Sequence, residues 1–180
     1  MTSLSAVHSF WFSELGPADW FAVNPKTDEA IRARFGDLYA AMKASPPDPA
    51  TLDARAHLAA VIVFDQFPRN LFRGTADAFA TDAPALALSR DAVERGLDKG
   101  MSAHERQFLY MPFQHSESKA DQARSLALFA TVDLPEAQRF AQEHKEVVDR
   151  FGRFPYRNAA LGRASTPDEE AFLKTKARWP

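Results

Sequence analysis

The 180-residue chain contains no cysteine. A disulfide scaffold, a thiolate zinc site and a cysteine nucleophile are therefore all excluded. Valine and isoleucine are scarce, ten together, so the residues that favour strands are largely missing. Only 7 glycines are present, and no glycine-rich phosphate loop or nucleophile-elbow pattern occurs among them. No window approaches the ~20 consecutive apolar residues that a membrane helix needs. The first residues, Met1 to His8, lack the basic and apolar regions of a secretory signal. Charge is nearly balanced, with a net value of −2, so no global basic field draws the chain to nucleic acid or to an anionic membrane. Together these absences point to a soluble, cytoplasmic protein that binds neither nucleic acid nor membrane. They carry no information on oligomeric state.

Alanine is what the chain has in abundance, 32 residues. It loses no side-chain entropy in a helix. Helical patterns accordingly recur along the whole sequence. Ile31, Phe35, Leu38 and Met42 follow Thr27, a good N-cap, and stop before Pro46-Pro47. Asp48-Pro49 reads as N-cap plus N1 proline for a helix carrying Leu52, Ala56, Ala59, Ile62 and Val63. Asp82 precedes a segment with Leu86, Val93 and Leu97, which glycines 96 and 100 end. Ser102 and Glu105 form a capping box, and that helix is expected to end near Pro112. Ser118, the Asp133-Leu134-Pro135-Glu136 segment and Thr166 open three more, the second with a Phe140, Ala141, His144, Val148 and Phe151 stripe. The expectation is a single all-α domain over residues 1–180, built of stacked antiparallel helices. The fifteen phenylalanines, and the aromatic start at Phe10-Trp11-Phe12 and Trp20-Phe21, are assigned to packing.

One short motif occurs twice. Phe67-Pro68-Arg69-Asn70 returns as Phe154-Pro155-Tyr156-Arg157-Asn158, with a glycine four residues after each asparagine, at 74 and 162. Proline disfavours helical geometry in the preceding residue, so each copy marks a helix stop and a turn. Asn70 and Asn158 are expected to cap a short turn, and either can instead line a ligand site. The arginines need a further reason. Arg69, Arg73, Arg153, Arg157 and Arg163 lie in or beside these turns, in a chain with 15 arginines and 7 lysines. A guanidinium offers a rigid fork of donors that suits a carboxylate or phosphate. Each can equally pair with a nearby carboxylate such as Asp65, which follows the apolar run Val61 to Phe64 and needs a partner once buried.

Three motifs in fixed order, Asp65-Gln66-Phe67-Pro68-Arg69-Asn70, Pro112-Phe113-Gln114-His115-Ser116-Glu117 and Phe151 through Asn158, carry a wider resemblance. With Leu161-Gly162-Arg163 and Ser165-Thr166-Pro167, the chain resembles the bacterial domain-of-unknown-function family DUF924. That resemblance implies an all-helical protein of the tetratricopeptide-like superfamily, a right-handed array of helices, and no settled activity. Tyr156 stands where the family often has histidine, which weakens any mechanism needing an imidazole there.

The remaining chemistry centres on His115-Ser116-Glu117, placed between a helix stop and a helix start where backbone amides can face an anion. His115 can serve as a general acid or base, with Glu117 orienting it or acting itself. His144 lies on an apolar stripe, either as a hydrogen-bonded core residue or as a second imidazole in a shared cleft. A metal held by His115, Glu117, His144 and Asp65 has suitable ligand types but no compact spacing signature, so neither metal nor other cofactor is expected. Two functions are left. The first is binding of a small anionic molecule or acidic peptide in a cleft lined by Asp65, Arg69, Asn70, Ser116, Arg153, Tyr156, Arg157, Asn158 and Arg163. The second is acid-base catalysis in that cleft by His115, Glu117 or His144. Both require the two Phe-Pro turns to meet the His115 segment in space.

Overall fold

The computed structural model describes residues 3–175 and is all-α, with no strand among the described residues. Ser3 caps α1 (Leu4–Ser9), which runs into a π-helical turn at Phe10–Glu14, and α2 (Pro17–Trp20) is a single turn. The long helix α3 (Pro25–Ala44) starts earlier than the Thr27 signal suggested. Asn24 accepts from the Lys26 amide and Pro25 takes the first helical position, so Thr27 is buried within the helix. Asp48 and Pro49 open only a 3₁₀ turn (Pro49–Thr51), and α4 (Ala54–Asp65) has its own cap, Asp53.

The centre of the fold is α4. Its residues Leu58 to Phe64 are entirely buried, with α1, α3, α5, α6 and α7 packed around it. A helix apolar on every side has no other stable place. Asp65 ends this helix and is carried into the interior with it. Next come α5 (Phe67–Leu71), a 3₁₀ turn at Ala76–Phe79 and α6 (Asp82–Glu94), followed by a 3₁₀ turn at Leu97–Gly100.

The capping box of Ser102 and Glu105 is present at the start of α7 (Ala103–His115). The stop at Pro112 is not. Pro112 lies inside α7, which continues to His115. The proline forgoes one amide bond close to the helix end, where little helix remains to be disrupted. The consequence is that Gln114 and His115 are held on a rigid, buried final turn. After it come α8 (Lys119–Phe129), capped by Ser118, and α9 (Pro135–Phe151), which ends at Gly152 with φ 70°. L side chains disfavour that left-handed conformation, so glycine is the natural stop. A 3₁₀ turn (Pro155–Arg157) then leads to α10 (Pro167–Thr175).

Helices adjacent in sequence pack on one another from α6 to α9, as short connections require. A second, smaller core of Val147, Val148 and Phe154 anchors the last turn, with Phe151, Tyr156 and Phe172 against it. The aromatic start does serve packing, since Phe10 and Trp11 are buried. Phe21 is 55 % exposed, and its ring stacks on Phe108.

Candidate functional site

The two Phe-Pro segments adopt different local structures. The first is helix α5, so Asn70 is helical rather than a cap, and its amide donates to Asp28 at 2.8 Å. The second is a 3₁₀ turn. Asn158 caps that turn at its C-terminal end through its backbone N–H to the Pro155 carbonyl, while its side-chain amide donates to Ser165 and Glu169 and its side-chain oxygen accepts from Arg163. What the copies share is the glycine in left-handed geometry, Gly74 at φ 79° and Gly162 at φ 65°.

The segments nevertheless converge. Arg69 of the first turn forms a two-point contact with Asp82 at 3.0 and 3.2 Å. Arg157 of the second donates to the same carboxylate at 3.0 Å. Asp82, at the start of α6, thus bridges both. Arg69 also lies 3.4 Å from the Asp65 carboxylate and donates to the Asp65 carbonyl. The same oxygen of Asp65 meets the His115 segment, Oδ1 lying 2.7 Å from His115 Nδ1. An unbroken series of charged and polar contacts therefore runs from His115 through Asp65, Arg69 and Asp82 to Arg157. His144 stands beside it, its ring 6.2 Å from that of His115, and Tyr156 lies 5.7 Å from the Arg157 guanidinium.

Burial sets the protonation states. Desolvation holds the His115 imidazole below its ordinary range, with Asp65 only partly offsetting it. His144 is pushed down to about 3 by burial and then by the field of His115. Burial also opposes the charge of Asp65, but the fields of His115 and Arg69 and hydrogen bonds from His115 and Gln66 outweigh it. The carboxyl titrates low, at about 2. A neutral imidazole facing a carboxylate through Nδ1 must carry its proton there, because an Nδ1 lone pair would be repelled. His115 Nε2 is then a lone pair, and no described residue hydrogen-bonds it. Gln66 completes Asp65 by donating at 2.5 Å.

The other sequence-derived candidates fall into separate arrangements. Glu117 does not orient His115. It accepts from Arg163 at 2.8 and 2.9 Å and from the Phe154 amide at 2.7 Å, which clamps the second turn to the end of α7. Asp65 takes the orienting role instead. Arg153 is tied to Glu169 at 2.6 and 2.8 Å, fastening α10 to the same turn. Ser116 donates to Asp121 at 2.7 Å and accepts from the Ser118 amide, so this helix start is filled by its own side chains. Arg73 pairs with Asp28 on α3. Asp82 and Gln66 were not singled out by the sequence reading as site residues. Asp82 showed itself only as the acid that opens a helix, and no local signal marks its bridging role.

A hollow of about 650 Å³ lies elsewhere, between α3 and the Leu71-Phe72 segment. None of the cluster residues lines it. The His115 cluster meets solvent mainly at Arg69 and Asp82, whose side chains are each 22 % exposed, while His115 and Arg157 are buried.

Residues 7–177 match the family described as "Bacterial protein of unknown function (DUF924)". The chain belongs to this family. A similar solved structure is that of a protein of unknown function from Agrobacterium tumefaciens, 37 % identical, with a TM-score of 0.90. The match covers 96 % of this chain and 97 % of that one. No curated protein matches this DUF924 member.

Proposed function

We propose that the cluster is an acid-base centre acting on a small molecule that carries a carboxylate or phosphate. The observation that carries this reading is the contact between His115 and the fully buried Asp65. A carboxylate on Nδ1 fixes the tautomer and presents Nε2 as a proton acceptor, the arrangement a general base needs. An oriented imidazole held near a buried arginine, Arg157, and a partly buried one, Arg69, exceeds what packing requires. Charge at the centre is balanced, two carboxylates against two guanidiniums, so a bound anion would favour proton uptake by His115. His144 and Tyr156, at the edge of the group, would complete its polar lining. Narrow access argues for a small ligand rather than an acidic peptide.

The second reading is anion binding without proton transfer, which the donors on Arg157 favour. Thermal-shift screening against carboxylated and phosphorylated metabolites, followed by turnover assays on each hit, separates the two. The acid-base reading expects a hit whose chemical conversion falls at least about 100-fold in His115→Gln. Binding of that hit should survive the substitution. A hit that is bound but never converted, with binding lost in Arg157→Ala and kept in His115→Ala, supports the second reading. Loss of stability in every variant with no hit at all contradicts both.

A further inference from the structure

Arg157 is 5 % exposed, yet its donors are not all used. Nη1 reaches Asp82 at 3.0 Å, whereas Nε is enclosed without a hydrogen-bond partner. Nη2 likewise donates to no described residue. The guanidinium lies 4.6 Å from the Phe79 ring centre and 4.8 Å from that of Phe154. The two rings and the Asp82 contact restrain the plane, and the Nε–Nη2 edge remains as a fixed pair of parallel donors.

A buried donor left without an acceptor is costly, so such an edge calls for a partner. Its spacing fits two oxygens of one planar group, which is how an arginine takes a carboxylate side-on. Local charge selects the class. Asp65 and Asp82 already balance Arg69 and Arg157, with Glu117 also close by, so a dianion would bring two uncompensated charges into a buried place. A monoanion brings one.

We propose that the Nε–Nη2 edge of Arg157 is the seat of a ligand carboxylate, the group by which the substrate of the His115 centre is held. The assignment of the ligand to that centre rests on the acid-base reading above; the seat itself rests on Arg157 alone. Phe79 and Phe154 keep the fork in plane, and Asp82 fixes its far edge.

The test follows the Arg157 Nε–H resonance of the intact protein by NMR during titration with acetate, inorganic phosphate and acetamide. A saturable shift with acetate, at a Kd in the range of about 1–50 mM, and none with acetamide is the expected result. Arg157→Lys keeps the charge and loses the fork, and should weaken acetate binding at least about tenfold. His115→Gln should leave it within about threefold, since the seat does not depend on the base. A resonance that ignores acetate overturns the proposal, and so does acetate binding that survives Arg157→Lys unchanged. A response to phosphate alone overturns the carboxylate assignment. Should Arg157→Lys fail to fold, the resonance in the unaltered protein still decides the matter. Intact acetate binding with no proton chemistry at His115 would sink the acid-base reading and leave the seat standing.

Discussion

Asp65→Ala is expected to lower unfolding free energy by about 3–5 kcal/mol, the range for breaking a buried charge pair. The carboxylate is fully buried and serves three groups: His115 Nδ1–H, the Gln66 amide and the Arg69 guanidinium. Alanine would leave the first two donors enclosed and unmatched, each at roughly 1–3 kcal/mol. Arg69 would keep Asp82, which limits the total. Asp65→Asn retains shape and one acceptor, so its loss should be clearly smaller. Urea unfolding of both variants measures this, through a shifted midpoint at unchanged slope. A loss below about 1 kcal/mol for the alanine variant would show that the buried contacts contribute little to stability.

Acid should begin to destabilise the protein well above the carboxylate range. His144 falls from an ordinary value of 6.5 to about 3 in the folded state. His115 and His57 are lowered in the same direction by burial. Between those values the unfolded chain binds protons that the folded chain refuses, so folding is penalised as pH drops. The stability contributed by neutral His144 is therefore fully present above pH 6.5 and is lost progressively toward pH 3. From a shift of that size, His144 alone accounts for a loss on the order of 5 kcal/mol across the window. Asp65 adds its own loss only later, as pH falls from 3.8 toward about 2. Urea unfolding from about pH 7.5 down to about pH 4.5 should show a plateau and then a decline approaching about 1.4 kcal/mol per unit from His144, which His115 and His57 steepen. His144→Gln should flatten part of that decline. Stability constant down to about pH 4.5 would mean that the buried imidazoles are not held neutral.

Much of the fold could be read from local signals because helix starts are local events. Asp82, Ser102, Ser118, Pro135 and Thr166 each stand at or beside an observed start. The pairing of Asp65 with Arg69 was also legible, being one turn apart. Where two cap signals stood close together, the local sequence did not decide between them. Asn24 outranked Thr27 because Pro25 fits the first helical position, and Asp53 outranked Asp48. Pro112 carries a real cost, but three more helical residues bury Phe113, Gln114 and His115, which outweighs one missing bond.

Asp65, Arg69, His115 and Arg157 of the cluster stand in motifs that the sequence marks, whereas Asp82 and the wiring between them do not show there. The three motifs do meet, as their shared arginines and histidine suggested. The link between Asp65 and His115 spans fifty positions and depends on how α4 packs against α7. Nothing in the spacing of Glu117 two residues from His115 reveals that it turns instead to Arg163. The asparagines behaved similarly: Asn158 does cap its turn through the backbone, but the side chains of both reach distant carboxylates.

The orientation of His115 is the claim on which the functional account depends. Long-range ¹H–¹⁵N correlation spectra of the histidine rings at about neutral pH read the tautomer directly. The expected spectrum shows His115 neutral, protonated at Nδ1, with Nε2 carrying only its lone pair. Asp65→Asn should disturb that pattern and leave His144 much as before. A His115 ring protonated at Nε2 and bare at Nδ1, or an imidazolium at neutral pH, would contradict the account.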